Sequence, residues 1–150
     1  MFAVTLTLEL KPDFGEAHIT LGVALAHTGK DEEAIVAYRA AIGNNPNSIY
    51  AHNNLSNALN RKGLRDEAIS ELTRATEPDP SFAEGHLNLG VAYSDNNQYP
   101  EAIASFRKAI ALSPNLVEAH IDLGNTLLKA ALEGKTLLTK QSLNSAKQSG

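Results

Sequence analysis

Small and apolar residues recur along the chain in two helix-length blocks that repeat every 34 residues. In the first block, His18, Leu21, Gly22 and Leu25 stand at i, i+3, i+4 and i+7, a spacing that places them on one face of a helix. The histidine of this block returns at His52, His86 and His120. A pattern kept in one register over several copies predicts a stack of equivalent structural units.

The second block of each unit also has helical spacing. Its ladder consists of Ala34, Tyr38 and Ala41, then Ala68, Leu72 and Ala75, then Ala102, Phe106 and Ala109. Between the two blocks, Gly29, Gly63 and Asn97 share one register, and these residue types tolerate the left-handed backbone of a helix end. Prolines at 12, 46, 80 and 114 close the units, because proline cannot continue a helix. The pattern predicts all-α helix-turn-helix units.

The repeat also predicts how the chain is divided. We expect an array over residues 1–130, made of a partial second helix at 1–11, full units at about 15–48, 49–82 and 83–116, and a half unit at 117–130. Residues 131–150 depart from the pattern, since Thr136, Lys140 and Leu143 stand where the ladder has alanine, a large apolar residue and alanine. We expect this tail to be irregular or to form a capping helix.

These ladders resemble the tetratricopeptide repeat family, and the resemblance covers roughly residues 1–130. It implies helix-turn-helix repeats stacked in a right-handed superhelical solenoid whose first helices line a concave groove. It also implies a protein- or peptide-binding scaffold.

The resemblance places candidate groove contacts beside the repeated histidine and leucine positions. The candidate peptide-binding residues are Tyr50, Asn53, Asn54, Asn57, Glu84, Leu87, Asn88, Asp122 and Asn125, with Ile121 as a further apolar contact. Asn54 and Asn88 share one register, and the array is similar to the asparagine ladders of O-linked N-acetylglucosamine transferases. A side-chain amide both donates and accepts hydrogen bonds, so such a ladder can hold an extended backbone. The alternative is that these asparagines are ordinary solvated positions.

The histidine ladder raises the question of metal binding or catalysis. Packed helices lie roughly 8–10 Å apart, whereas zinc needs its nitrogen ligands within about 2 Å. One histidine per unit is therefore a packing position and not a metal site. The sequence shows no nucleophile or base patterned with these histidines, so we expect no enzyme activity, no metal and no cofactor.

Composition narrows the partners further. The net charge is −4, which disfavours nucleic acid because phosphate binding needs a basic surface. No apolar run approaches membrane-spanning length, and the absence of cysteine suits a cytoplasmic protein. Two alternatives stay open: self-association through uncapped ends, giving a homo-oligomer, or a substrate-presenting part of a larger enzyme such as a glycosyltransferase.

A rival use within the family can be tested on the sequence. Chaperone co-factors of this fold hold acidic C-terminal tails with lysine, asparagine and arginine in the groove. The matching positions here are Ile19, Val23, Glu84 and Asn88. The lysine and arginine are therefore missing, and Glu84 and Glu118 would repel a carboxylate. The sequence disfavours acidic tails as ligands.

Overall fold

The computed structural model describes residues 14–149, which form seven helices and no strand. In chain order they are α1 Phe14–His27, α2 Asp31–Asn44, α3 Ile49–Arg61, α4 Arg65–Thr76, α5 Ala83–Asp95, α6 Tyr99–Leu112 and α7 Val117–Gln148. The partial helix expected at 1–11 lies outside the described residues. No helix within 14–149 is long and apolar enough to cross a membrane.

The helices form a solenoid of antiparallel pairs, as the repeat predicts. The pairs are α1 with α2, α3 with α4, and α5 with α6, and each pair packs on the next. First helices also contact one another across unit boundaries, α1 with α3, α3 with α5, and α5 with α7. The prediction of an all-α repeat solenoid is confirmed.

Each pair is closed by one residue in the left-handed backbone region. Gly29, Gly63 and Asn97 have φ values of 76°, 78° and 60°. The amide that follows each of them donates to a carbonyl in the last turn of the first helix, at 2.9–3.0 Å. Since a left-handed residue turns the chain out of a right-handed helix, this register sets the end of every first helix but the last.

The fourth unit lacks such a residue, and its first helix does not end there. Ala131 occupies the register of Gly29, Gly63 and Asn97, and α7 runs through it as one helix of 32 residues. The segment expected to be irregular or a capping helix, residues 131–150, is helical to Gln148 as the continuation of α7, and nearly all side chains of residues 131–148 are exposed. A side chain at this register disfavours the left-handed turn, so the helix continues.

A large ring against a small residue brings the two helices of a unit together. A Cβ atom added to Gly22 would lie 2.5 Å from the Tyr38 ring, and one added to Gly90 would lie 2.6 Å from the Phe106 ring. Both rings are almost fully buried. No larger residue fits these positions without displacing a ring, which explains why the repeat keeps them small.

The histidine ladder has a structural role in the described units. Nε2 of His52, His86 and His120 lies 2.8, 3.0 and 2.9 Å from the carbonyl oxygen of the proline six residues earlier. A carbonyl only accepts, so each histidine donates from Nε2 and ties the first helix to the turn before it. Nδ1 of His52 also lies 2.6 Å from Oε2 of Glu71.

The Gly90 contact predicts opposite effects for the same change in two units. Gly90→Ala should lower the free energy of unfolding by about 1–3 kcal/mol, because the methyl group meets the Phe106 ring. Gly124 occupies the same register in α7, and nothing lies within 4 Å of a Cβ added there. Gly124→Ala should therefore raise the free energy of unfolding by up to about 1 kcal/mol, because alanine has the higher helix propensity. Urea unfolding followed by circular dichroism measures both, and equal effects would contradict the packing described here.

Candidate functional site

The first helices form the inner surface of the array. They contact one another from unit to unit, whereas the backbones of the second helices make no close approach to each other among the described helices. Only long side chains bridge that wider gap, as where Nη2 of Arg39 lies 3.3 Å from Oε2 of Glu67. Neighbouring units are therefore farther apart at their second helices than at their first helices. The array curves toward the first helices, so the surface carried by α1, α3, α5 and α7 is the concave one.

Asparagines occupy the middle of this surface. Asn57 is exposed, and Asn53, Asn54 and Asn88 are partly exposed. Within residues 14–149 their side-chain amides form no hydrogen bond with another group of the protein, and Oδ1 of Asn53 is buried without a partner. The amides of Asn54, Asn57 and Asn88 thus present donors and acceptors to a ligand, whereas the buried Oδ1 of Asn53 does not.

Packing on the opposite face holds α3 in place despite its asparagines. Ser48 caps the start of the helix, because its Oγ accepts a hydrogen bond from the Ala51 amide at 3.3 Å. Its buried stripe consists of Ala51, His52, Leu55, Ser56, Ala58 and Leu59. Asparagine is a poor helix former, so burial of this stripe compensates for the polar surface.

A cavity flanks the asparagines at each end of the surface. One of about 310 Å³ lies between the start of α1, the end of α2 and the start of α3, where Ile19 and Tyr50 contribute to its wall. The other, of about 280 Å³, lies between α5 and α7 and is lined in part by Asp122, Asn125 and Leu128. Each cavity combines apolar and polar groups and is large enough for a side chain of a bound segment.

The candidate residues differ in what they can contact. Tyr50 and Ile121 are 72% and 57% exposed, and Glu84 and Asn125 are also exposed, while Asp122 is partly exposed. Leu87 differs from the expectation that it contacts a ligand in the groove. Its side chain is 5% exposed and packs in the core with Phe106 and Ala119, so it joins helices and does not face a ligand.

A further cavity, of about 430 Å³, lies beside the turn after α1 and is lined by charged residues of the first two units. Nη2 of Arg61 lies 2.6 Å from Oδ1 of Asp31, and Lys62 pairs with Glu32. The hydrogen bond from Arg61 lowers the pKa of Asp31, and that from Lys62 lowers the pKa of Glu32. The same pairing raises the pKa of Arg61. Because these charges satisfy one another, they join the first two units and leave little for a ligand.

The chain matches two family models, both described as Tetratricopeptide repeat, over residues 5–49 and 83–116. It is similar to the Sgt2 TPR domain from Aspergillus fumigatus, with a TM-score of 0.75, 22% identity and coverage of 81% of this chain and 82% of that one. No curated protein matches the chain.

Two other similar structures are of proteins that bind peptides. The first TPR of Spaghetti (RPAP3), bound to the HSP90 peptide SRMEEVD, has a TM-score of 0.74 and 22% identity, covering 78% of this chain and 93% of that one. YrrB, a TPR protein with an unusual peptide-binding site, has a TM-score of 0.66 and 28% identity, covering 70% and 54%. At 22% identity, the similarity to the Spaghetti domain shows the shared fold alone.

The contact between Asp31 and Arg61 predicts a pH-dependent stability. A carboxyl whose folded pKa is lowered stabilises the fold above its unfolded value, near pH 4, and loses this effect as the pH falls through the folded value. Asp31→Asn should therefore lower the melting temperature at pH 7, and the difference from the parent should close below pH 4. Thermal unfolding from pH 7 to pH 2 measures it. The control Glu133→Gln removes an exposed carboxylate with no ion pair in residues 14–149, and a gap for Asp31→Asn that persisted at pH 2 would contradict this role.

Proposed function

Because the chain belongs to the tetratricopeptide repeat family and is a protein-binding scaffold, we propose that its concave surface holds an extended polypeptide segment by hydrogen bonds to the segment's backbone. The observation that carries this proposal is the row of asparagine amides on adjacent first helices without partners inside residues 14–149. The peptide bound by one structure of the same fold and the peptide-binding site named for another support peptide binding as the general mode.

The spacing of the asparagines suits an extended chain. Neighbouring packed helices lie roughly 8–10 Å apart, and an extended chain advances about 3.3 Å per residue. Asn54 and Asn88, which share a register on α3 and α5, would therefore meet backbone groups about three residues apart. A backbone carries one donor and one acceptor per residue, and each side-chain amide supplies the complementary pair.

The cavities at the two ends of the concave surface can add contacts with ligand side chains to these hydrogen bonds with the ligand backbone. Tyr50 lines the first cavity, and Ile121, which precedes the Asp122 of the second cavity in the chain, is also exposed and apolar. A bound segment that places one apolar side chain toward each end would bury this surface. Individual hydrogen bonds contribute about 1 kcal/mol, so affinity depends on the central and terminal contacts together.

Charge on the surface limits the ligand to neutral or basic segments. Glu84 and Glu118 are exposed at equivalent positions of α5 and α7, and in the second cavity Asp122 offsets the charge of Lys129. The carboxylates of Glu84 and Glu118 repel an acidic tail. The peptide SRMEEVD, bound by one structure of this fold, carries two consecutive glutamates and an aspartate, and we expect this chain not to bind it.

A peptide-display screen tests the proposal. The parent should select neutral or basic extended peptides, and the triple variant Asn54→Ala/Asn57→Ala/Asn88→Ala should bind them about 100-fold more weakly, since three bonds of about 1 kcal/mol are removed. Fluorescence anisotropy measures the affinity, with SRMEEVD as the negative peptide.

The matched control removes three amides away from the concave surface. Asn44→Ala/Asn115→Ala/Asn144→Ala changes the end of α2, a turn and the exposed end of α7, and its affinity should equal that of the parent. Equal binding by both triple variants, at equal helicity, would locate the peptide elsewhere, and tight binding of SRMEEVD would contradict the charge argument.

A further inference from the structure

The fourth unit has a first helix whose partner position is empty. In the first and third units, the Tyr38 and Phe106 rings of the second helix lie against Gly22 and Gly90. Gly124 occupies the same register in α7, and nothing lies within 4 Å of where its Cβ would be. The fourth unit thus keeps the glycine of the helix contact but has no ring packed against it.

Other residues on this face of α7 are uncovered too. His52 and His86 are 2% and 6% exposed, whereas His120 is exposed. Leu59 is 1% exposed and Leu127, in the same register, is 43% exposed. We refer to His120, Gly124, Leu127 and Ala131 as the α7 notch, since they stand at i, i+4, i+7 and i+11 on one face of the helix.

The tail of the chain does not suit this position. It carries Thr136, Lys140 and Leu143 where the second helices carry alanine, a large apolar residue and alanine. Folding back would set the Lys140 ammonium against Gly124, and burying an unpaired charge is costly. Ala131 also opposes the turn that folding back requires, and among the described helices α7 contacts only α5 and α6.

We propose that the α7 notch is a docking site for an amphipathic helix of a partner protein with the spacing Ala-x-x-x-aromatic-x-x-Ala. The notch continues an interface that the array itself forms, and α2 and α6 show what fills it. Both carry this spacing, as Ala34, Tyr38 and Ala41 and as Ala102, Phe106 and Ala109, and in both helices all three residues are buried. The partner helix completes the fourth unit, on a face separate from the asparagine surface.

A peptide copied from α6 provides the probe. It spans residues 98–113, carries Phe106 at its centre and includes both flanking alanines. Helices of this length are marginal in water, so a side-chain cross-link on the polar face is used to hold the helix and reduce the entropy lost on binding. The full chain of 150 residues is titrated against the fluorescent peptide.

We expect saturable binding that depends on both sides of the contact. Phe106→Ala in the peptide and Gly124→Ala in the protein should each weaken binding at least tenfold, because one removes the ring and the other fills the space it enters. Gly124→Ala does not threaten the fold, since its added methyl meets open space.

The control variant is Gly134→Ala, on the same helix. Nothing lies within 4 Å of its added Cβ, and it is about 15 Å from Gly124 along the axis at 1.5 Å per residue, beyond the reach of the centred peptide. It should bind as the parent does. The triple asparagine variant should also retain binding, which separates failure of this inference from failure of the groove proposal.

Three results would overturn the inference. One is no binding of the cross-linked peptide up to about 1 mM, where a free energy near −4 kcal/mol would still be detected. Another is binding that Gly124→Ala leaves unchanged. The third is concentration-dependent dimerisation of the parent in sedimentation velocity that Gly124→Ala abolishes, since the occupant would then be a second copy of this chain.

Discussion

The close contact between a small residue of the first helix and a large apolar residue of the second, seen as Gly22 against Tyr38 and Gly90 against Phe106, is the constraint on which the array depends. Glycine allows the Tyr38 and Phe106 rings to approach closely enough that a Cβ atom would overlap them. The rings thereby fix how the helices of a unit pair. Units of one shape can stack in one way, and their first helices then contact one another on the inside of the curve.

Two local features repeat this geometry in successive units. A residue with positive φ ends the first helix, and a histidine donates to the carbonyl of the proline that ends the preceding unit. The histidine–proline contact persists in the fourth unit, but the left-handed residue is replaced by Ala131. The fourth unit therefore starts as the others do and does not turn back, which leaves its glycine without a ring.

The two surfaces proposed for binding rest on different physics. The concave surface presents asparagine amides with no partners within residues 14–149, which suit a backbone and depend on directional hydrogen bonds. The α7 notch is an apolar, shaped face that depends on close packing. The first tolerates many side-chain sequences, whereas the second requires one spacing of small and large residues.

The 34-residue periodicity by itself determined the helix pairs, the turns and the small positions, because each follows from residues close together in the chain. It also determined that the histidines are structural, since their spacing excludes a shared metal. Contacts between units depended on the tertiary structure. Leu87 has the spacing of a surface residue but is buried where α5 meets α6 and α7, and Arg61 reaches across to Asp31. The continuation of α7 through Ala131 is compatible with the sequence, which lacks a turn residue there, but the tertiary structure decided that residues 131–148 do not pack back onto the array.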